Sequence, residues 1–181
     1  MAWNFHRPLP KKKFEVEEGL AELVPRLYRF AVSLTQDDDL ARDLVQATCL
    51  RALERKHQFQ EGSRLDHWTF AILASLRLNA ARADRVRRGN GFVDLETLVI
   101  PDPTASVERN LLIRQVMAIV DKLEEHLREA VMLVYVEGFS YEEAASILKC
   151  PPGTVASRLV TARQLIVRYL KLSDPDQGDV A

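Results

Sequence analysis

The stretch "YEEAASILKCPPGTVASRLVTARQLI", residues 141–166, carries two helical patterns divided by a turn that no helix can cross. Ser140 followed by Glu143 is a capping box, and Tyr141, Ala144, Ala145 and Leu148 recur at the spacing of one helical face. That predicts a two-turn helix over 141–148, with the stripe buried. Pro151 and Pro152 lack the N–H a continuing helix needs, and each pushes the residue before it out of helical backbone. Gly153 and Thr154 restart the chain, after which Val155, Leu159, Ala162 and Ile166 share one face at about 100° per residue. Thr154, Ser157, Arg158, Thr161, Gln164 and Arg168 lie on the opposite arc, where they can reach phosphates or base edges. The pattern is a helix-turn-helix, although the same spacing suits an αα-hairpin that only packs. Ala156 and Val160 stand where a DNA reader is expected to carry basic side chains.

Outward from this motif, helical periodicity continues along the chain and no alternating strand pattern interrupts it. The expected fold is all-α: two small helical domains joined by a flexible linker, the second containing the helix-turn-helix. A first helix has Leu20, Leu23, Val24, Leu27, Ala31 and Leu34 on one face, with Pro25 placed to kink or restart it. Asp37, Asp38 and Asp39 open a second, expected to bury Leu40, Leu44, Val45, Thr48 and Ala52. A third is expected from Ser63, with Asp66 in the capping-box position, carrying Leu65, Trp68, Ile72, Leu76, Asn79 and Ala83 as far as Gly89. "GNGFVDLETLVIPDPTAS", residues 89–106, has no amphipathic face and reads as the linker. Leu112, Val116, Ile119 and Leu123 then mark a fourth helix, and Leu127, Ala130, Val131 and Val134 a fifth. The expected division is an N-terminal extension over 1–17, domains over 18–88 and 107–172, and a frayed tail over 173–181.

Composition narrows the function. A chain of 181 residues that is 47% hydrophobic and 28% charged is an ordinary globular protein. No apolar run approaches the roughly 20 residues that span a bilayer, and "MAWNFHRPLPKKKF" lacks the apolar core of a secretory signal, so a cytoplasmic location is expected. Cys49 and Cys150 are too few and too far apart for a disulfide framework, and His6, His57, His67 and His126 show no metal-ligand spacing. No glycine-rich phosphate loop or G-x-S-x-G elbow is present, so neither enzyme activity nor any metal or cofactor is expected. The net charge of −1 hides an asymmetry, with 16 Lys and Arg against 12 Asp and Glu in residues 1–90 but 9 against 14 in residues 91–181. Residues 138–172 hold five of those later basic residues against only Glu142 and Glu143, a local excess of the kind a groove-binding surface requires.

"VEGFSYEEAASILKCPPGTVASRLVTAR", residues 136–163, resembles the minus-35 reading domain of extracytoplasmic-function sigma factors of the bacterial sigma-70 family. "DDDLARDLVQATCLRALERKHQF", residues 37–59, resembles that family's core-polymerase-binding helix, and "LDHWTFAILASLRLNAARADRVRR", residues 65–88, its minus-10 segment. The resemblance runs over residues 18–172 in the family's order, with a linker where the family has one. It implies that Asp43, Leu44, Val45 and Gln46 dock on core RNA polymerase, as a helix-in-groove contact. Trp68 matches an aromatic of the first domain's core and joins Arg77, Asn79, Arg82 and Arg85 as candidates for the melted minus-10 strand. Thr154, Ser157, Arg158 and Thr161 are the minus-35 candidates. Acidic Asp94, Glu96, Asp102 and Glu108 suit either a basic polymerase channel or a solvated loop.

Some positions depart from the family's pattern. Ala156 replaces a usual Lys or Arg, Ala74 and Ser75 replace a usual Arg-Asn pair, and Leu123-Glu124 replaces a frequent Leu-Pro. Fewer phosphate contacts imply weak binding to isolated minus-35 DNA, compensated where polymerase holds both domains on one promoter. The resemblance therefore implies a sigma factor that binds core polymerase and promoter DNA, under an anti-sigma factor. The alternative is a sigma mimic that binds an anti-sigma protein or core polymerase without reading promoters.

Overall fold

The residues that the computed structural model describes, 16–60, 62–87 and 107–173, are helical almost throughout. Seven α-helices follow one another: α1 Val16–Thr35, α2 Asp38–Glu54, α3 Leu65–Arg87, α4 Val107–Val120, α5 Glu125–Val131, α6 Tyr141–Leu148 and α7 Pro152–Ser173. A short 3-10 turn, Lys56–Gln58, follows α2, and a π turn, Met132–Val136, continues α5. No strand occurs among the described residues, as the periodicity predicts. None of these helices is long and apolar enough to cross a membrane. The linker and most of the N-terminal extension and tail lie outside the described residues.

α1 runs unbroken through Pro25. Ala21 and Pro25 are both exposed, so the carbonyl that loses its helical donor is left to solvent rather than stranded in the core. Its inner face is Leu20, Leu23, Leu27, Phe30, Ala31 and Leu34, all buried, whereas Val24 is 39% exposed, against expectation. Phe30, absent from the predicted stripe, is fully buried against Phe70 with ring centroids 5.3 Å apart.

α2 begins as predicted, with Asp37 Oδ1 accepting the Leu40 N–H at 2.9 Å. It buries Ala41, Val45, Thr48 and Ala52. Leu40, expected inside, is 56% exposed, because it stands about 140° round the helix from Val45. At α3 the predicted cap does not form. Ser63 Oγ donates instead to the Gln60 carbonyl at 2.6 Å, the Asp66 carboxylate is taken by Arg64, and the helix begins at Leu65. The fully buried residues of α3 in the main core are Phe70 and Leu73, while Leu65, Trp68 and Ile72 pack on a smaller cluster of Val16, Leu20 and Ala52. A helix buried on more than one side has no single apolar stripe to announce it.

The second half follows its pattern closely. Leu123, Leu127, Ala130 and Val131 are buried, as are Val155, Leu159 and Ala162 of α7. On α6 the buried residues are Ala144, Ala145 and Ile147, and Tyr141, expected in the stripe, is 39% exposed. The two expected domains share one core: Leu23, Phe30 and Phe70 belong to the same cluster as Phe139, Ala144 and Leu159.

Candidate polymerase and nucleic-acid surfaces

The helix-turn-helix is fixed by local chemistry. Ser140 Oγ accepts the Glu143 N–H at 3.2 Å, and Glu143 Oε2 accepts the Ser140 N–H at 2.8 Å. α6 ends before the prolines: Lys149 takes a left-handed backbone, φ +53°, and the Cys150 N–H returns to the Ala145 carbonyl at 3.0 Å. Pro152 sits in the first turn of α7, where its missing N–H costs nothing.

On α7 the four predicted readers separate. Ser157 and Thr161 are exposed, with hydroxyls donating to the Thr154 and Ser157 carbonyls at 2.9 and 3.1 Å, which leaves their lone pairs outward. Thr154 is half-buried. Arg158 lies on the flank, not on the outer arc: one residue past Ser157 is about 100° of rotation, and this turns it toward α5. There its side chain is only 23% exposed, with Nη1 3.8 Å from Glu129 Oε2. Glu129 is itself perturbed. Burial and the charge of Glu125 push its carboxyl up to about 7, against the pull of Arg158, Arg77 and Arg128. Arg163, outside the predicted set, donates to the Tyr135 hydroxyl at 2.8 Å, and Val160 is 53% exposed.

The candidates on α2 divide as well. Asp43 and Gln46 are exposed and Leu44 is half-buried, but Val45 is 7% exposed and belongs to the core, so it supports this face without being able to touch a partner. What sequence reasoning missed is beside them: Leu40, Leu50 and Leu53 are 56%, 59% and 39% exposed. With Asp43 and Gln46 they make one outward arc. The signal was present, since α2 carries more leucine than one buried face can use.

The third candidate surface is a hollow of about 210 Å³ at the start of α3, between Phe59, Gln60, Ser63, His67 and Trp68. Phe59 and Trp68 form its aromatic side, with ring centroids 5.2 Å apart and planes tilted by 45°. Arg64 closes the rim. Its guanidinium holds Asp66 through two bonds, Nε to Oδ1 at 3.0 Å and Nη2 to Oδ2 at 2.7 Å. Burial pushes the Asp66 carboxyl up, but Arg64, the His67 N–H and Arg26 outweigh it and hold it below the ordinary carboxylate range. Further along α3, Arg77 is 20% exposed and lies 3.0 Å from Glu125, and Asn79 is exposed. Arg82 and Arg85 are on α3, but their side chains lie outside the described residues. No cluster of His, Cys, Asp and Glu suited to a metal occurs among the described residues.

Comparison with known proteins matches residues 20–87 to sigma-70 region 2 and residues 113–166 to sigma-70 region 4. Over 157 residues the chain is 40% identical to the ECF RNA polymerase sigma factor EcfG of Rhodopseudomonas palustris, covering 86% of this chain and 84% of that one. The sigma factor RpoE of Bartonella quintana, solved in complex with the anti-sigma factor NepR, is similar at 31% identity and a TM-score of 0.70, over 87% of this chain and 98% of that one. The NMR structure of the PhyRSL–NepR complex from Sphingomonas sp. Fr1 shares the fold at 20% identity and a TM-score of 0.60, covering 93% of this chain and 98% of that one. The chain belongs to the sigma-70 family, among its ECF RNA polymerase sigma factors. With that membership comes promoter-specific transcription initiation, the work of a factor and not of a catalyst.

Proposed function

We propose that this sigma factor docks on core RNA polymerase through the outer arc of α2, and reads promoter DNA through the hollow beside Trp68 and the outer arc of α7. The observation that carries this reading is the exposure of Leu40, Leu50 and Leu53 on the same face as Asp43 and Gln46. Three large apolar side chains held in water on one helix face are what a helix-in-groove contact requires. Leu44 and Val45 act from beneath, fixing the helix that presents them.

The hollow suits one unstacked base of the melted minus-10 strand, because its Phe59 and Trp68 rings offer π faces and its Gln60 and Ser63 edge offers polar partners. Arg77 and Asn79, and beyond them Arg82 and Arg85, follow along α3 to hold that strand's phosphates. At the minus-35 element Ser157 and Thr161 face the base edges, with Thr154 and Arg158 on the margins. Likeness to the Bartonella sigma factor supports an anti-sigma partner for this chain too, and work with polymerase supports a cytoplasmic location.

Run-off transcription with purified core polymerase on genomic fragments tests the reading. Wild-type protein should give discrete promoter-specific transcripts, and Leu40→Arg with Leu50→Arg should give none. Wild-type protein that binds core polymerase or an anti-sigma protein tightly yet starts no transcript from any promoter is a mimic, and the reading is then wrong.

A further inference from the structure

Arg158 is held on the flank of α7 by one carboxylate. Its Nη1 lies 3.8 Å from Glu129 Oε2, beyond hydrogen-bond reach, and the two side chains are only 23% and 21% exposed. Charge holds the pair, not a fork of bonds. Thr161, three residues further along α7, stands about 60° round the helix from Arg158 and is exposed on the outer arc. A change of rotamer, with no movement of the backbone, therefore carries the guanidinium from α5 to the surface proposed for the minus-35 element.

What Arg158 leaves behind decides the cost of that move. Arg128 Nη1, on the same helix as Glu129, donates to the Asp121 and Leu123 carbonyls at 2.7 and 2.8 Å, and Arg77 of α3 lies 3.0 Å from Glu125. Both cations have partners of their own. Of the other elements packed on α5, α1 turns Arg26 and Arg29 to Glu137 at 2.7 and 3.2 Å, and the Met132–Val136 turn has no ionisable residue but Tyr135, whose hydroxyl accepts from Arg163. His126 of α5 lies 3.4 Å from Glu124. Once Arg158 departs, Glu129 is a largely buried carboxylate beside Glu125, and the remaining cations are engaged elsewhere. A carboxylate so placed takes a proton rather than stay ionised. Burial and Glu125 already push it up to about 7 with Arg158 in place, and losing the pull of Arg158 pushes it further in the same direction.

We propose that Glu129 is a positioning residue of the minus-35 surface: ionised, it keeps Arg158 off the DNA, and Arg158 engages the promoter as Glu129 takes up a proton from solvent. The proton stays on the carboxyl oxygen while the guanidinium is on DNA, and no other bond changes. This rests on reading α7 as the minus-35 surface. Above about pH 7 the DNA-bound form then holds more protons than the free one, so affinity is greatest on the acid side and falls as pH rises through that range.

Holoenzyme assembled from the full chain and core polymerase, titrated with an upstream promoter duplex that stops short of the minus-10 element, tests this. The duplex is taken from a promoter mapped by run-off transcription. If losing Arg158 raises the proton affinity of Glu129 about tenfold, wild-type binding should weaken about sixfold from pH 6.5 to pH 8.5 relative to Glu129→Gln. Calorimetry at pH 7.5, in buffers of different ionisation enthalpy, should count about half a proton more taken up by wild type than by Glu129→Gln. Arg158→Ala, which binds more weakly, should lose the same half proton, and this keeps the test alive if Glu129→Gln fails to fold.

Parallel pH profiles for wild type and Glu129→Gln would overturn the proposal. So would a gap between Glu and Gln at position 129 that survives in the Arg158→Ala background, because Glu129 would then act as a plain negative charge near DNA. Arg158→Ala that binds as tightly as wild type at every pH would instead sink Arg158 as a minus-35 reader, and the restraint with it.

Discussion

α2 and α7 both bury one face in the shared core and leave the other outward, but the outward faces have opposite chemistry. On α2 the outer arc holds Leu40, Leu50 and Leu53, with Asp43 and Gln46 as its polar members. The arc of α7 instead presents Ser157, Thr161, Gln164 and Arg168, with Val160 as its apolar exception. Dehydrating leucine is favourable against another apolar surface and useless against phosphate. Hydroxyls and guanidinium groups exchange water for base edges and phosphates. The proposed assignment of α2 to a protein partner and α7 to DNA rests on this difference.

Aspartate on the α2 arc is the sharpest way to break this contrast. Leu40→Asp with Leu50→Asp should weaken core polymerase binding by about 4 kcal/mol, roughly a thousandfold, while the melting temperature changes far less because more than half of each residue is already in water. Val45→Ala should do the reverse, costing about 1–2 kcal/mol of stability with little change in affinity, since it removes core volume beneath the contact. Titration of labelled core polymerase alongside thermal melts separates the two. Unchanged binding by the aspartate pair would move the docking surface off α2.

The next effect lies beside α7. Glu129 has a folded pKa of about 7, well above the ordinary 4.5. Between those values the folded chain binds more protons than the unfolded one, so stability is highest at the acid end and is lost as pH rises to 7, then stays level. The ceiling is about 3 kcal/mol at 1.36 kcal/mol per pKa unit. Glu129→Gln should flatten that loss in melts run from pH 5 to pH 8. A slope identical to wild type would show that Glu129 titrates normally and that Arg158 is not held by a perturbed carboxylate.

The contrast also marks how much was readable in advance. Periodicity found the seven helices of the described residues, and the capping box and prolines placed the α6–α7 turn to within a residue or two, because those signals are local. Leu40 was misplaced because α2 has leucines on both faces, and burial then depends on the neighbours rather than on spacing. Phe70 and Leu73 escaped notice for a similar reason, since α3 is covered from several sides. The regional contact was illegible altogether: Arg26 and Glu137 are 111 residues apart, and Arg64 and Glu143 are 79 apart. Nothing in composition pairs one arginine with one glutamate over such distances.

A smaller effect tests the division of labour within α7. Arg158 must leave Glu129 to reach a base, so its net contribution is reduced by the pair it breaks. Arg158→Ala should cost about 1–2 kcal/mol, concentrated at one base position if its contact is bidentate to guanine. Binding arrays over single-base variants of a promoter read this directly. A loss spread evenly over all sequences would reassign Arg158 to phosphate and leave Ser157 and Thr161 as the readers.

The smallest effect is expected at Ala156, where the family usually carries a basic residue. Ala156 is half-buried on the flank of α7, about 100° from Ser157 in the direction opposite to Arg158, and about 100° from the fully buried Val155. An arginine there has a long apolar stem to lay along the helix and a charged end that reaches past it, so the core beneath is left undisturbed. Ala156→Arg should therefore raise affinity for minus-35 duplex and steepen the dependence of log K on log salt by about one unit or less, the yield of a single phosphate contact. Because a phosphate carries no sequence, the gain should be equal on specific and scrambled duplexes, and the ratio between the two affinities should stay as it is. A gain confined to one promoter sequence would place position 156 against a base edge, and an unchanged salt slope would turn that flank of α7 away from DNA.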